Sequence, residues 1–99
     1  MEVRTQSFKL VEPEAESSRF VIDPSGFLFV ELDRAQREYS ATFAQLDFKN
    51  DLAGHTRLCC RSISGENNWQ LKLEDEDAGY LLRLISDVDR QLETLMSGH

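Results

Sequence analysis

Four carboxylates lie within the apolar stretch of residues 22–43, and paired carboxylates could perform acid–base catalysis or bind a cation. They are Asp23, Glu31, Asp33 and Glu38. An acid–base pair needs a cleft that desolvates one acid and leaves its partner ionised. A calcium loop needs oxygen ligands at alternating positions around a glycine, whereas the residues that follow Gly26 are apolar. We therefore predict neither a catalytic residue nor a metal ligand in this stretch.

Turn and strand signals give these acids structural roles instead. The segment DPSG (23–26) has Asp, Pro and Gly at the positions that a type I turn favours, so Asp23 is predicted to cap a turn. Residues 27–33 and 37–43 alternate as strands do, and the four-residue connection DRAQ is of a length usually built around a type I turn. The other three acids then fall in this loop or at exposed positions of the strands.

Cys59, Cys60 and His55 have the softer side chains that zinc binding or nucleophilic catalysis would use. A structural zinc site takes four ligands, and its paired cysteines are usually separated by two or more residues. Adjacent cysteines point to opposite faces of an extended chain, so a disulfide between them would be strained. We predict no bound zinc and no catalytic cysteine. We expect Cys59 to be the exposed thiol, because it shares a strand face with Arg57 and Arg61, and Cys60 to point inward.

The charge balance excludes some classes of partner. Eighteen acidic residues against eleven basic ones give a formal net charge of −7. Nucleic-acid binding normally relies on a basic patch that neutralises phosphates, so we predict no nucleic-acid partner. No apolar run approaches the roughly 18 residues of a membrane-spanning helix, and the N-terminal segment lacks the apolar core of a signal peptide. The sequence therefore predicts a small acidic cytoplasmic protein that does not bind membranes.

Residues 74–96 carry the clearest helical pattern. Five apolar residues recur at spacings of four, three, four and three, namely Leu81, Ile85, Val88, Leu92 and Leu95. This is the period of an amphipathic helix, and acidic residues at its start suit a helix N-terminus. Tyr80 and Leu84 widen the apolar stripe beyond what one contact with a sheet requires. The surplus predicts either a deep groove in a curled sheet or a contact with another chain.

The remaining apolar segments predict strands. Expected strands are 8–11, 19–22, 27–33, 37–43, 57–64 and 68–74, with 44–56 a loop or an irregular strand. The fold class is α+β: an antiparallel sheet of about five strands packed on one C-terminal amphipathic helix. Residues 1–99 form a single domain, and we expect residues 1–7 and 97–99 to be flexible.

Two stretches resemble a small domain of cyanobacteria and methanogenic archaea that can follow a dihydropteroate-synthase-like region. They are VIDPSGFLFVELDRAQREYSATF, similar to its strand–turn–strand core, and DAGYLLRLISDVDRQLE, similar to its closing helix. That helix typically begins with histidine, two alanines, tyrosine, leucine and glycine, of which Ala78, Tyr80 and Leu81 match. Asp77 stands in place of the histidine and Leu82 in place of the glycine. The resemblance implies this fold and a cyanobacterial-type origin, and it supplies no catalytic residue because no activity is known for the family.

These observations favour a non-catalytic interaction or regulatory module that binds another protein and needs no cofactor. The candidate contacts are Phe29, Tyr80 and Leu84, and a homodimer that buries them would cover the surplus apolar surface. The alternative function is a small-molecule-binding or accessory domain of an enzyme system. Its pocket would lie between the helix and the sheet, near Tyr80 and Trp69.

Overall fold

In the described part of the chain, seven strands precede a C-terminal helix. The computed structural model describes residues 3–12, 15–34, 36–51, 53–61 and 67–96. The elements are β1 (Arg4–Lys9), β2 (Ser17–Asp23), β3 (Phe27–Leu32), β4 (Arg37–Thr42), β5 (Leu46–Asn50), β6 (His55–Arg61), β7 (Asn67–Glu74) and α1 (Asp75–Met96). A 3₁₀ turn, Phe43–Gln45, separates β4 from β5.

The strands form two antiparallel meanders. β1, β2, β3 and β4 form a four-stranded sheet, and β5, β6 and β7 form a three-stranded sheet. The predicted α+β class with antiparallel pairing is confirmed, but the strands are divided between two sheets rather than gathered in one of about five. The chain leaves the first sheet at the 3₁₀ turn. Segment 44–56, expected as a loop or an irregular strand, contains β5 and the start of β6.

Hydrogen bonds between described residues join the sheets. Beyond β1, the Val11 N–H donates to the Lys72 carbonyl (2.7 Å) and the Lys72 N–H donates to the Glu12 carbonyl (3.0 Å). Through this antiparallel bridge, the segment that follows β1 pairs with β7. The Trp69 Nε1–H donates to the Ser40 carbonyl at 3.2 Å and thereby links β7 to β4. The two meanders therefore enclose a common interior.

The first strand begins earlier than the sequence indicates. β1 pairs with β2 from Arg4 opposite Ile22 to Lys9 opposite Ser17. Residues 4–7, expected to be flexible, therefore belong to the sheet, because their backbone groups pair with a strand that apolar side chains anchor. Residues 97–99, expected to be flexible, and residues 62–66, which include part of a predicted strand and of a predicted hairpin connection, lie outside the described residues.

The apolar core lies between the two sheets and α1. Strand residues alternate so that one face of each sheet points inward, and its buried side chains include Phe20, Ile22, Leu28, Val30, Leu58, Leu71 and Leu73. α1 contacts β1, β2, β6 and β7. It adds Ala78, Leu81, Ile85 and Val88 to the same cluster. The apolar face predicted for the helix is confirmed at these positions. Among the described residues, no helix combines the length and the apolar character that crossing a membrane requires.

Candidate functional site

Asp23, the first of the four acids, caps the turn that the sequence predicts. Its Oδ1 accepts hydrogen bonds from the Ser25 N–H (2.8 Å) and the Ser25 Oγ (2.7 Å). The Ser25 backbone N–H holds the pKa of the Asp23 carboxyl below its usual range, because the bond favours the ionised form. Gly26 closes the turn at φ 103°, in the left-handed region that favours glycine. This acid therefore has a structural role.

Glu31 and Glu38 face each other on the outer surface of the four-stranded sheet. The register places Glu31 of β3 directly opposite Glu38 of β4, and Arg19 of β2 opposite Glu31 on the other side. Arg19 Nη1 lies 3.9 Å from Glu31 Oε2, and both side chains are about half exposed. No described residue forms an ion pair with Glu38. We call Glu31 and Glu38 the acidic pair.

Aromatic side chains border the acidic pair on the same surface. Phe27 and Phe29 are 41% and 39% exposed, and their rings stack with centroids 6.2 Å apart. Phe29 and the acidic pair line a groove of about 310 Å³, whose other walls are Val30, Tyr39 and Ser40. We call this the aromatic–acidic groove. It places carboxylate acceptors beside an apolar ring, which suits a cationic side chain with an aliphatic stem.

The structure does not bring the three predicted contacts together. Phe29 points outward from the four-stranded sheet, whereas α1 packs against the core on the inner side. Tyr80 is 46% exposed and packs edge-on against Phe8, with 6.2 Å between ring centroids. Leu84 is half-buried against the core. The structure thus places Phe29 on a different surface from Tyr80 and Leu84, and the homodimer that would bury all three stays a prediction.

Tyr80 and Trp69, near which the sequence predicts a pocket, have different neighbours in the part of the chain that the structure describes. A groove of about 310 Å³ runs along Tyr80, and its other walls are Gln6, Ser7, Phe8, Lys9, Glu76 and Asp77. Trp69 lies on β7, where it stacks on Tyr39 with 5.3 Å between ring centroids. Core side chains occupy the space between helix and sheets, and polar residues form most of the Tyr80 groove.

Both cysteines are buried, so the expectation of an exposed Cys59 is wrong. Cys59 shares the outer face with Arg57, as the alternation predicts, but Cys59 and Cys60 are each only 1% exposed. The cross-strand neighbours Asp47 and Gln70 stand on either side of Cys59, and its Sγ lies 4.0 Å from Gln70 Oε1. Burial raises the pKa of the Cys59 thiol, although nearby basic side chains oppose the shift.

We expect both thiols to react slowly with an aromatic disulfide reagent under native conditions. The thiolate is the reacting form and both sulfurs are buried, so the reaction requires local opening of the fold. The native rate should be lower than the rate in denaturant by about a hundredfold or more. Mass spectrometry of the labelled chain assigns each site. Rapid stoichiometric labelling of either cysteine in the native protein would contradict this burial.

His55 begins β6 and so lies in a strand rather than in the loop that the sequence suggests. The register places Glu74 directly opposite His55. The His55 Nε2 is 3.6 Å from Glu74 Oε2, which makes an ion pair when the imidazole is protonated. Within the ranges that the structure describes, no group of three or more His, Cys, Asp or Glu side chains is arranged to hold a metal ion.

The opposition of Glu31 and Glu38 is the feature that sequence reasoning misses. Alternation predicts both as outward-facing, and both point outward in the structure. The four-residue loop pairs Leu32 with Arg37 and therefore Glu31 with Glu38. Because loop length sets the register of a hairpin, this length is the signal that could have revealed the pair.

Comparisons of the chain with protein-family models, with curated proteins and with solved structures find no match. The resemblance to the cyanobacterial and archaeal domain stays a prediction from the residues that carry it. The function of the aromatic–acidic groove is therefore inferred from its own geometry and charge.

Proposed function

We propose that this protein is a non-catalytic interaction module that binds a basic segment of a partner protein in the aromatic–acidic groove. The observation that carries the proposal is the acidic pair, two glutamates directly opposite each other beside the exposed Phe29. An arginine of the partner places its guanidinium between the two carboxylates and lays its methylenes against the Phe29 ring. The groove then holds the charged and the apolar parts of one side chain.

Electrostatics favours a cation between the two glutamates. Like charges directly opposite each other in antiparallel strands destabilise a sheet, by up to about 1 kcal/mol on the scale of cross-strand pairs. Arg19 offsets part of the charge of Glu31, but an exposed ion pair at 3.9 Å contributes little to stability. A further cation removes the repulsion and forms charge-assisted hydrogen bonds. Arginine suits the groove better than lysine, because its planar fork reaches two carboxylate oxygens at once.

The aromatic side chains extend the same contact with apolar surface. Phe27 lies two residues before Phe29 on β3, and the half-buried Val21 lies directly opposite Phe29 on β2. A cation over a phenylalanine ring contributes about 0.5–1 kcal/mol at an exposed site. These neighbours favour a partner segment in which apolar residues flank the arginine.

The overall charge of the chain supports a basic partner. A formal net charge of −7 attracts positively charged proteins over distances longer than any single contact. Such attraction raises the association rate and weakens as salt is added. Binding through the groove is therefore expected to depend strongly on ionic strength.

Glu38→Gln should weaken binding of a short peptide with an arginine between two leucines by about tenfold, which is about 1.4 kcal/mol. Glu38 is exposed and forms no ion pair with the described residues, so the substitution removes charge without disturbing the fold. Calorimetric or NMR titration at low and physiological salt measures the affinity. A peptide with lysine in place of arginine should bind more weakly to the wild-type protein.

Glu76→Gln is the matched control, because it removes the same charge from an exposed position in the first turn of α1. Its peptide affinity should stay within about twofold of the wild-type value, as expected for a remote surface charge. An equal loss of peptide affinity in both variants would mean that binding depends on the net charge of the protein and not on the groove. Absence of peptide binding by the wild-type protein would refute the proposed function.

A further inference from the structure

A second pair of opposed like charges lies on the outer surface of the three-stranded sheet. Lys49 of β5 is directly opposite Arg57 of β6. The Lys49 side chain is 61% exposed, and its Nζ lies 3.7 Å from Asp47 Oδ2. Arg57 is exposed, and no residue in the described ranges forms an ion pair with it. We call Lys49 and Arg57 the basic pair.

Lys72 continues this row of cations but is committed to contacts within the chain. It lies opposite Arg57 on β7. Its side chain is only 15% exposed, and its Nζ lies 3.4 Å from both Glu12 Oε1 and Asp51 Oδ2. The positive charge that this surface presents to solvent therefore comes from the basic pair and from the exposed Arg61 at the end of β6.

We propose that a second copy of this chain supplies the basic partner, and that the basic pair of one copy binds in the aromatic–acidic groove of the next. This inference rests on the proposed function, because it names the partner of the same groove. Both pairs consist of residues directly opposite each other in an antiparallel ladder, so their spacing is alike while their signs are opposite.

One contact between copies relieves the repulsion within both pairs. Like-charged residues facing each other are unfavourable in either sheet taken alone. The charges beside the pairs are also opposite in sign, since Arg19 stands beside Glu31 and Asp47 beside Lys49. Docking thus brings the acidic pair, with Arg19 beside it, against the basic pair, with Asp47 beside it.

The two surfaces belong to different sheets, so one copy can use both at once. Each copy offers its groove to one neighbour and its basic pair to another, which is a heterologous contact that closes into a ring or continues as a filament. The net charge of −7 repels copies at a distance. At physiological ionic strength this repulsion is screened beyond about 8 Å, whereas the opposed pairs still attract at contact.

Mixing two variants tests the inference. The groove variant carries Glu31→Lys and Glu38→Lys and keeps the basic pair, and the basic-pair variant carries Lys49→Gln and Arg57→Gln and keeps the groove. In sedimentation velocity at about 0.15 M NaCl, wild-type assembly should grow from micromolar to submillimolar concentration and dissociate at about 1 M NaCl. Each variant alone should lose about tenfold or more in association constant and sediment as an 11.4 kDa monomer.

An equimolar mixture of the variants should form a 1:1 dimer that does not grow further, because one intact groove meets one intact basic pair. A monomeric wild-type protein, association that survives in either variant, or a mixture that stays monomeric would each overturn the inference. Should a double variant melt below the wild-type protein, the single substitutions Glu38→Lys and Arg57→Gln repeat the test with the same expected outcomes.

The basic-pair variant also separates this inference from the proposed function. It keeps the aromatic–acidic groove, so it should bind the arginine peptide as the wild-type protein does when both are measured at low micromolar concentration, where wild-type copies are dissociated. If it binds the peptide while no sample self-associates, the partner is not a second copy of this chain. The groove then binds a basic segment of another protein. If neither the wild-type protein nor this variant binds the peptide, the proposed function fails.

Discussion

Val88→Asp should abolish the cooperative unfolding transition of this domain. Val88 is 2% exposed and shares the inner face of α1 with Leu81 and Ile85. A carboxylate at this position loses its hydration among apolar side chains, which costs several kcal/mol, and the total stability of such domains is about 5–15 kcal/mol. Thermal and guanidinium unfolding followed by far-UV circular dichroism measures the loss. Ile85→Asp should behave in the same way, because Ile85 belongs to the same face.

Leu82→Asp is the control for this prediction. It places the same charge on the same helix, at a position that is 45% exposed. The free energy of unfolding should change by less than about 1 kcal/mol, as is usual for surface substitutions. A wild-type melting curve for Val88→Asp, or equal damage from Leu82→Asp, would mean that α1 packs through a different face.

Phe20→Ala should lower the free energy of unfolding by about 3–5 kcal/mol. Phe20 lies on β2 with no exposed surface, and its ring packs edge-on against Phe8 with 5.4 Å between centroids. Removing the ring takes apolar surface from the core and leaves a cavity that the neighbouring side chains fill only in part. Urea unfolding at constant pH gives the difference from the wild-type protein.

Phe27→Ala removes the same side chain from the outer face of the neighbouring strand. Phe27 is 41% exposed and stacks only on Phe29 among the described aromatic rings. We expect a loss below about 1 kcal/mol, because an exposed aromatic contact contributes little beyond its buried area. Losses of similar size for Phe20→Ala and Phe27→Ala would be incompatible with the assignment of inner and outer faces.

The helix and the turn between β2 and β3 could be predicted because their signals are local. The spacing of Leu81, Ile85 and Val88 follows the helical period, and the turn residues of DPSG lie next to one another in the sequence. The way the two sheets are joined depends on contacts between distant residues, such as the backbone pairing of Glu12 with Lys72. No local pattern encodes that pairing, and the weak alternation of segment 44–56 hides β5.

The candidate site could be predicted only in part. Phe29 is a contact predicted from the aromatic face of its strand, and it lines the groove. Glu31 and Glu38 could be predicted as exposed, but only the register shows that they face each other. Cys59 shows a different limit of prediction from sequence. The alternation of a strand predicts which way a side chain points, but not whether neighbouring side chains bury it. Its sulfur points outward and is still buried beside Gln70.

The contact of Trp69 with Tyr39 and Ser40 gives the protein a built-in optical reporter. Trp69 is the single tryptophan of the chain and belongs to the three-stranded sheet. The Tyr39 ring on which it stacks and the Ser40 carbonyl to which it donates belong to the four-stranded sheet. Indole emission follows the polarity around the ring, whereas far-UV circular dichroism follows backbone content. Tryptophan fluorescence therefore reports separation of the two sheets from each other, even where each sheet keeps its own strands.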